Sequence, residues 1–307
     1  MARLRNAVSS LRMEGELVEL DHAREVLDGR TPASPTEEGF YRLAKAYEAL
    51  ARGTVPTLSV NGIVQKHREL FEGVLAAVPA GELKSVQNSI IHEGTGRAFF
   101  LPTPPNRVRA ELEALLEWYR DHRFDYPPAV TAALFFAEFQ AVHPFGDGNG
   151  RLGRFLNVGI LRELGMKRVY AVPLDLRFFR SGEHYYEMLA TTNTGRDYHL
   201  WARYFVGEIE HAYRIADRQA NLIPVVNQFT RESTRSVLRW VLTGAGGWFG
   251  RGEYPNRTGY SAQAIWASLD ELRRAGILEA RGERRGRRYR LRSHFLADVY
   301  ARRLDAS

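Results

Sequence analysis

One twelve-residue stretch decides the fold of this chain: residues 143–154 read HPFGDGNGRLGR. The pattern predicts a helix end at His143, a glycine-rich loop, and a second helix that starts near Asn149 or Gly150. The N–H groups and the positive dipole end of that second helix favour a bound anion. The glycines let the backbone approach a ligand closely. We therefore expect a binding site for phosphate groups at this loop.

The charged side chains around the loop suit the same ligand. Arg151 and Arg154 are three residues apart on one helix face, and two guanidiniums beside a helix N-terminus suit phosphates. Asp147 offers an oxygen ligand that suits Mg²⁺, and His143 can act as a base near neutral pH. Each feature alone is usually structural, whereas their conjunction within one short stretch favours a phosphate site.

The stretch resembles the complete Fic-domain signature, H-P-F-x-D-G-N-G-R-x-x-R, at every specified position. The resemblance extends over about residues 8–225 and implies a mostly α-helical Fic-type fold with a β-hairpin flap. It also implies a protein adenylyltransferase, which transfers AMP from ATP, with Mg²⁺, to a Tyr, Thr or Ser hydroxyl of a target protein. Related Doc-type kinases have Lys where Gly150 stands, so Gly150 favours nucleotidyl transfer.

The resemblance implies a role for each residue of the signature. His143 would deprotonate the attacking hydroxyl, and Asp147 would bind Mg²⁺. Arg151 would hold the β- or γ-phosphate, and Arg154 the γ-phosphate. The anion hole would consist of Gly148, Asn149 and Gly150. Tyr185 and Tyr186 lie where family members contact the adenine and ribose, although core packing explains these two residues equally well.

Two short extended runs, Lys84–His92 and Ala98–Leu101, flank a glycine-rich loop and predict a β-hairpin. The hairpin resembles the Fic flap, which would pair with a target segment and hold its hydroxyl over His143. An ordinary structural hairpin is the alternative. The expected target-docking residues are Gln87, Ser89, Ile90, Ile91, Phe99 and Phe100. Family members commonly have Arg at the position of Lys84, which leaves the contacts there open.

A second motif lies near the N-terminus, in a helix predicted at about residues 2–15. Ser10 and Glu14 are four residues apart and share a helix face. A carboxylate at a helix C-terminus is mildly unfavourable, so Glu14 is expected to have another partner; a plain amphipathic helix is the alternative. The segment resembles the Fic inhibitory motif S/T-x-x-x-E-G/N, which implies that Glu14 pairs with Arg154 and inhibits the enzyme. The same glutamate could instead assist AMP removal, so the direction of the reaction and the donor nucleotide stay open.

The last quarter of the chain carries the basic excess. Residues 231–307 contain 16 Lys+Arg and 8 Asp+Glu, whereas the whole chain has a net charge of +7. After helices at Phe178–Thr192 and Leu200–Arg218, a boundary predicted at Gln219–Gln228 separates a Fic domain, 1–225, from a second domain, 226–307. The expected DNA-contacting residues are Gln263, Arg273, Arg284, Arg285, Arg287 and Arg288.

The predicted order of elements in the second domain is that of a winged helix. A helix is followed by a loop, the recognition helix Ser261–Ala275 with Ser261 as its N-cap, and a basic hairpin. Arginines in such a hairpin suit DNA phosphates. Dimerisation or docking to a partner protein is the alternative. A DNA-binding regulator whose Fic body senses a nucleotide is therefore a second class of function, and a homodimer is also open.

The composition excludes several classes of protein. Hydrophobic residues make up 44% and charged residues 26% of 307 residues, which is typical of globular proteins. The absence of cysteine rules out disulfides, thiol catalysis and cysteine metal sites. No apolar run approaches the ~20 residues of a membrane helix, and no secretory signal is recognisable. We therefore expect a cytoplasmic protein with no membrane partner.

Overall fold

The computed structural model describes residues 2–76, 78–88, 90–91, 98–194, 197–244, 247–254, 259–283 and 286–295. The chain divides into two compact units, Met1–Ala216 and Asp217–Ser307. Three of the residues singled out in the sequence, Ser89, Arg284 and Arg285, lie outside the described residues.

The first unit is built from helices and one short hairpin, which confirms the predicted mostly α-helical fold. Strands β1 (Ile90–Ile91) and β2 (Ala98–Phe100) pair antiparallel, with Ile90 opposite Phe100. The helices are α1 (Ala2–Arg12), α2 (Leu20–Leu27), α3 (Pro35–Arg52), α4 (Val60–Phe71), α5 (Val108–His122), α6 (Pro128–Val142), α7 (Asn149–Glu163), α8 (Leu174–Ser181) and α9 (Glu183–Thr194). Helix α10 (Tyr198–Asn227) begins in the first unit and continues past its last residue, Ala216.

Helices α6 and α7 form the centre of this unit. Helix α6 is apolar around most of its circumference, and such a helix is stable only when it is buried. Helix α7 packs against it and is itself buried along most of its length, including Arg151 and Arg154. The connection between the two helices, residues 143–148, therefore lies at the ends of the most deeply buried elements of the unit.

Helix α1 packs against α3, α7 and α8. Its buried face contains Leu4, Ala7, Val8 and Leu11, whose spacing is that of one helical stripe. The buried Asn6 donates a hydrogen bond to Val172 O at 2.9 Å and accepts one from Asp175 N at 3.2 Å. Apolar packing and these two bonds fix α1 along the core, so the chain that follows it emerges beside the start of α7.

Two helices end earlier than the sequence predicts, in both cases near a glycine. The sequence pattern of Val60–Val78 predicts one helix, but α4 ends at Phe71, and Gly73 has φ +72°. The single helix expected at Phe178–Thr192 is two helices, which are separated at Gly182, where φ is +57°. Because glycine adopts positive φ without a steric penalty, it commonly ends a helix at such a position.

The boundary predicted at Gln219–Gln228 is helical rather than an irregular linker. Helix α10 continues through Pro224 and ends at Asn227. A proline inside a helix removes the hydrogen bond to the residue four positions earlier and can kink the helix, but it does not have to end it. The presence of proline was therefore a weak reason to end this helix at Arg218.

The second unit combines helices α11 (Glu232–Gly244) and α12 (Ala262–Arg274) with a three-stranded antiparallel sheet. Its strands are β3 (Phe249–Gly250), β4 (Leu278–Arg281) and β5 (Arg288–Leu291), in the order β3-β5-β4. Ser261 accepts a hydrogen bond from Ala264 N at 3.1 Å, which confirms the predicted N-cap. Across the described ranges, no helix is both long and apolar enough to span a bilayer.

Candidate active site

The loop between α6 and α7 is held by Asn149, the first residue of α7. The side chain of Asn149 is 1% exposed; it accepts a hydrogen bond from Phe145 N at 2.9 Å and donates one to Phe145 O at 2.8 Å. Gly148 precedes the helix with φ +78°, and a Cβ there would lie 2.8 Å from the Phe71 ring. No side chain caps α7, so its first N–H groups suit an anion.

His143 ends α6 in a left-handed conformation. Its φ of +48° is the only positive value at a non-glycine residue in the described part of the chain. Nδ1 donates to Gln140 O at 3.3 Å, because a carbonyl can only accept, and the basic lone pair therefore belongs to Nε2. Burial lowers the pKa of His143 to about 4, and the charge of Lys84 adds to this effect. At neutral pH the imidazole is uncharged and able to accept a proton.

Arg154 is 2% exposed and is held by the C-terminal end of α1 and the turn that follows. Its Nε donates to Ser10 Oγ at 2.8 Å, and its Nη2 donates to Ser10 O at 2.8 Å and to Glu14 Oε1 at 2.6 Å. The structure thus brings Ser10 and Glu14 of the motif together with Arg154, the partner that the resemblance implies for Glu14. Because the Glu14 carboxylate lies against the first turn of α7, a Cβ at Gly150 would collide with Glu14 Oε1.

Arg151 is equally buried, and its two ion pairs were not predicted from the sequence. Its Nη2 donates to Asp147 Oδ1 at 3.2 Å, and its Nη1 donates to Glu16 Oε1. The guanidinium carbon lies 4.8 Å from the centre of the Phe71 ring. Its Nε is buried without a hydrogen-bond partner. The sequence reasoning missed Glu16, because it lies beyond α1 in a turn that has no periodic pattern.

Asp147 is compatible with the expected magnesium ion. Its side chain is 53% exposed, and Oδ1 accepts hydrogen bonds from Gly148 N and Arg151. Mg²⁺ is commonly bound through one or two carboxylates together with substrate phosphates. Within the described ranges no group of three or more acidic or histidine residues could hold a metal. Asp147 with nucleotide phosphates is therefore the donor set that the site offers.

His67 of α4 supports the Asp147 backbone, and the sequence analysis did not single it out. Gly81 N donates to Nδ1 at 2.9 Å, so the ring proton is on Nε2, which donates to Asp147 O at 2.9 Å. The ring stacks on Phe145 with centroids 3.8 Å apart. Burial lowers the pKa of His67 to about 4, which keeps this tautomer uncharged. A histidine in an apolar helix face gives no sequence signal for such a long-range contact.

The base of the hairpin is attached to the loop through Lys84 and Asn88. Lys84 N donates to Pro144 O at 2.9 Å, and its Nζ donates to Asn88 Oδ1 at 2.8 Å. Asn88 Nδ2 donates to Phe145 O at 3.1 Å. Burial lowers the pKa of Lys84 to about 8. Lys84, at a position where the resemblance led us to expect Arg, therefore connects the hairpin to the backbone around His143.

The structure describes the predicted docking residues to different extents. Gln87 Nε2 donates to Pro102 O at 3.1 Å, which links the two ends of the hairpin. Phe100 is half-buried. Ile90, Ile91 and Phe99 lie in the paired strands, as predicted.

The two tyrosines assigned to the nucleotide base occupy different environments. Tyr185 is 2% exposed in the core, where its ring centre lies 5.2 Å from that of Phe178. Tyr186 is half-buried and donates a hydrogen bond to Met13 O at 3.0 Å. Core packing accounts for Tyr185 in this arrangement, whereas Tyr186 contacts the same turn that carries Glu14.

In the second unit, basic residues singled out for DNA contact are paired with acidic neighbours. Arg273 donates to Asp270 Oδ1 at 2.9 Å, and Arg288 donates to Glu253 Oε1 at 2.8 Å. Gln263 is exposed and Arg287 is half-buried. Such pairing reduces the charge that these arginines present to a phosphate backbone.

Fold and site together define a mostly helical protein in which an uncharged histidine precedes a buried helix that carries two arginines. The sequence profile of the Fic/DOC family matches residues 57–161, about a third of the chain, and this match identifies a Fic/DOC domain there. The matched segment contains α4 to α6 and most of α7.

Curated relatives of this chain are named protein adenylyltransferases. The protein adenylyltransferase fic-1 of Caenorhabditis elegans is 30% identical over 148 residues, which cover 48% of this chain and 26% of the relative. A probable protein adenylyltransferase of Aquifex aeolicus is 29% identical over 192 residues, which cover 61% of this chain and 54% of the relative. The alignments thus span about a quarter and about half of these relatives.

Solved structures share the fold. A Fic family protein from Desulfovibrio desulfuricans superposes with a TM-score of 0.62 at 22% identity and covers 95% of this chain and 86% of its own. Fic-1 from Caenorhabditis elegans has a TM-score of 0.56 at 21% identity and covers 72% of this chain and 63% of its own.

Proposed function

We propose that this chain is a protein adenylyltransferase, which transfers AMP from ATP to a hydroxyl side chain of a target protein. One observation carries the proposal: the uncharged His143 immediately precedes a loop and helix N-terminus that bring Arg151 and Arg154 together. The names of the curated relatives support the same reaction.

In this mechanism, the chain positions the reactants and moves one proton. His143 Nε2 accepts the proton of the target hydroxyl, and the oxygen forms a bond to the α-phosphorus of ATP. The bond from the α-phosphorus to the bridging oxygen breaks, and pyrophosphate leaves. The N-terminus of α7 and the guanidiniums of Arg151 and Arg154 neutralise the phosphate charges. Mg²⁺, held by Asp147, would supply further charge neutralisation when bound.

We also propose that Glu14 inhibits this reaction. Its carboxylate occupies Arg154 Nη2 and lies against the first turn of α7, where a phosphate would otherwise approach. A triphosphate would therefore lack the contact with Arg154 and would also be repelled by the carboxylate of Glu14. Release of Glu14 would restore Arg154 to the nucleotide.

The test is transfer of label from α-³²P-ATP with Mg²⁺. Wild type, Glu14→Gly and Glu14→Gly/His143→Ala are compared, and Glu19→Gly is the matched control because Glu19 is exposed in the same segment. We expect label in the single variant, little in wild type and the control, and none in the double variant. Label that persists without His143 would contradict the proposed base.

An unlabelled Glu14→Gly protein would contradict autocatalytic transfer from ATP. The same proteins would then be tested with other labelled nucleotides and with a substrate that already carries AMP. Label from another nucleotide would identify that nucleotide as the donor. Loss of AMP from the modified substrate would identify AMP removal as the reaction.

Two predictions about partners are tested separately. Binding of the full chain to duplex DNA, measured between 50 and 200 mM salt, should weaken steeply if the second unit contacts phosphates; no binding at low salt would reject DNA as a partner. Light scattering after gel filtration tests the homodimer.

A further inference from the structure

The turn after α1 presents a second carboxylate to the site. Gly15 has φ +74°, and Glu16 N donates to Leu11 O at 3.1 Å, so the chain reverses direction directly after Glu14. This turn places Glu16 against Arg151, while Glu14 contacts Arg154. The two carboxylates therefore hold the two arginines of α7 separately.

The contact between Glu16 and Arg151 lies in a largely buried environment. The side chain of Arg151 is 2% exposed and that of Glu16 is 24% exposed. A guanidinium with so little access to water depends on protein partners for its solvation. Asp147 supplies one partner and the Phe71 ring covers a face, while Nε has none. Glu16 is thus the negatively charged partner of Arg151 Nη1.

We propose that Glu16 is a second inhibitory carboxylate, which competes with the β-phosphate of the nucleotide for Arg151. The inference rests on the proposed function, in which Arg151 neutralises phosphate charge, and on the expectation from the Fic signature that Arg151 holds the β- or γ-phosphate. Arg151 cannot direct Nη1 to both a carboxylate and a phosphate oxygen in the same place. Glu16 therefore weakens binding of nucleotides that have a β-phosphate and leaves AMP unaffected.

The two carboxylates act on different arginines, so neither replaces the other. Removing Glu14 leaves Arg151 paired with Glu16, and removing Glu16 leaves Arg154 paired with Glu14 and Ser10. Full access to the phosphate site requires both contacts to break. Glu14→Gly alone should accordingly leave the site partly closed.

The experiment measures nucleotide affinity by calorimetry in Mg²⁺ buffer. The probes are AMP and the α,β-methylene analogue of ATP, which cannot undergo transfer. The proteins are wild type, Glu16→Gln, Glu14→Gly and the double variant. Glu19→Gln is the matched control, since it removes the same charge from an exposed position three residues away. Thermal unfolding verifies that each variant is folded, and Glu16→Ala repeats the test without an amide that could bond Arg151.

We expect Glu16→Gln to bind the analogue about tenfold more tightly than wild type, with AMP binding unchanged. A hydrogen bond to a charged group contributes about 1.5 kcal/mol at the lower end of its range, and about 1.4 kcal/mol corresponds to tenfold. The lower end applies because Glu16 is partly exposed. In the double variant the gain should exceed that of Glu14→Gly by a similar factor.

Two results would overturn the inference. In the first, Glu16→Gln and Glu16→Ala both bind the analogue no more tightly than Glu19→Gln. In the second, AMP binding improves as much as analogue binding, which would indicate general loosening rather than competition at Arg151. Tighter analogue binding without label transfer in any variant would support the Glu16 contact and contradict the transfer reaction, so the two proposals fail separately.

Discussion

Exchange of His67 for two different amides separates its contribution to stability from its contribution to the proposed magnesium site. The ring accepts a hydrogen bond from Gly81 N and donates one to Asp147 O. In His67→Gln the amide extends to the position of Nε2 and can still donate to Asp147 O. In His67→Asn the amide ends at the position of Nδ1 and can still accept from Gly81 N. Each variant therefore removes one of the two bonds.

The size of each loss follows from the burial of the group left behind. Gly81 N is buried, so leaving it unpaired costs about 1–3 kcal/mol, and the lost ring stacking on Phe145 adds about 1 kcal/mol. His67→Asn loses the same ring stacking, but the Asp147 carbonyl is only partly buried and can bond water, so the total loss should be about 1–2 kcal/mol. In a unit of this size 1 kcal/mol corresponds to roughly 2–4 °C in Tm. We expect the Tm to fall by roughly 5–15 °C in His67→Gln and by less in His67→Asn.

For Mg²⁺ affinity the two variants should rank in the opposite order, with the larger loss in His67→Asn. Residues that orient a metal ligand commonly contribute 10–100-fold to metal affinity. We therefore expect His67→Asn, in the Glu14→Gly background, to need about tenfold more Mg²⁺ for half-maximal binding of the ATP analogue, and His67→Gln to need little more than the background. Circular dichroism melting and Mg²⁺ titration measure the two quantities. Equal magnesium losses, or no loss in the Asn variant, would refute the positioning role.

The remaining predictions concern stability. The pKa values of His67 and His143 are lowered to about 4, so unfolding takes up protons between pH 4 and 6.5. The free energy of unfolding should therefore fall by about 1–2 kcal/mol per histidine from pH 7 to pH 5. A Tm that does not change with pH over this range would contradict the prediction. Tyr47→Phe removes a 2.6 Å hydrogen bond to Asp175, whose other oxygen is unpartnered, and should cost about 1–3 kcal/mol by urea unfolding; no change would show that the bond contributes nothing. Gly159→Ala places a Cβ 2.5 Å from Pro56 and should destabilise the fold by about 1–3 kcal/mol. Gly207 lies in a helix with open space around it, so Gly207→Ala should stabilise the fold by about 0.5–1 kcal/mol. A higher Tm for Gly159→Ala than for Gly207→Ala would refute the steric argument.

The elements that the sequence predicted well are those with a local cause. The apolar run that begins at the prolines 127–128 and ends before His143 predicts α6 at Pro128–Val142, and glycine and asparagine mark the start of α7 within one residue. The N-cap at Ser261 depends on an interaction over three residues. The resemblance to the Fic signature adds the expected functional roles, which periodicity alone does not contain.

The features that were missed depend on contacts between distant parts of the chain. His67 meets Asp147 across 80 residues, and Glu16 meets Arg151 across 135 residues. Neither residue belongs to a recognisable pattern, because the partner is chosen by tertiary packing. The short strand β3 was also missed, since Phe249 pairs with Tyr289 in an otherwise glycine-rich stretch. Pairing with a distant strand can override such weak local preference.

Burial of Arg151 and Arg154 implies that the proposed inhibition and the stability of the site depend on the same contacts. Removing one partner from a buried ion pair is costly, because the other charge remains without compensation. A nucleotide supplies phosphate oxygens that can solvate both guanidiniums, but before it binds some other anionic group has to do so. Glu14 and Glu16 meet that need from one short turn. Under the proposed function, the arrangement with both carboxylates bound is therefore the stable one without nucleotide, and activation would require phosphate oxygens to replace the carboxylates rather than to enter an empty site.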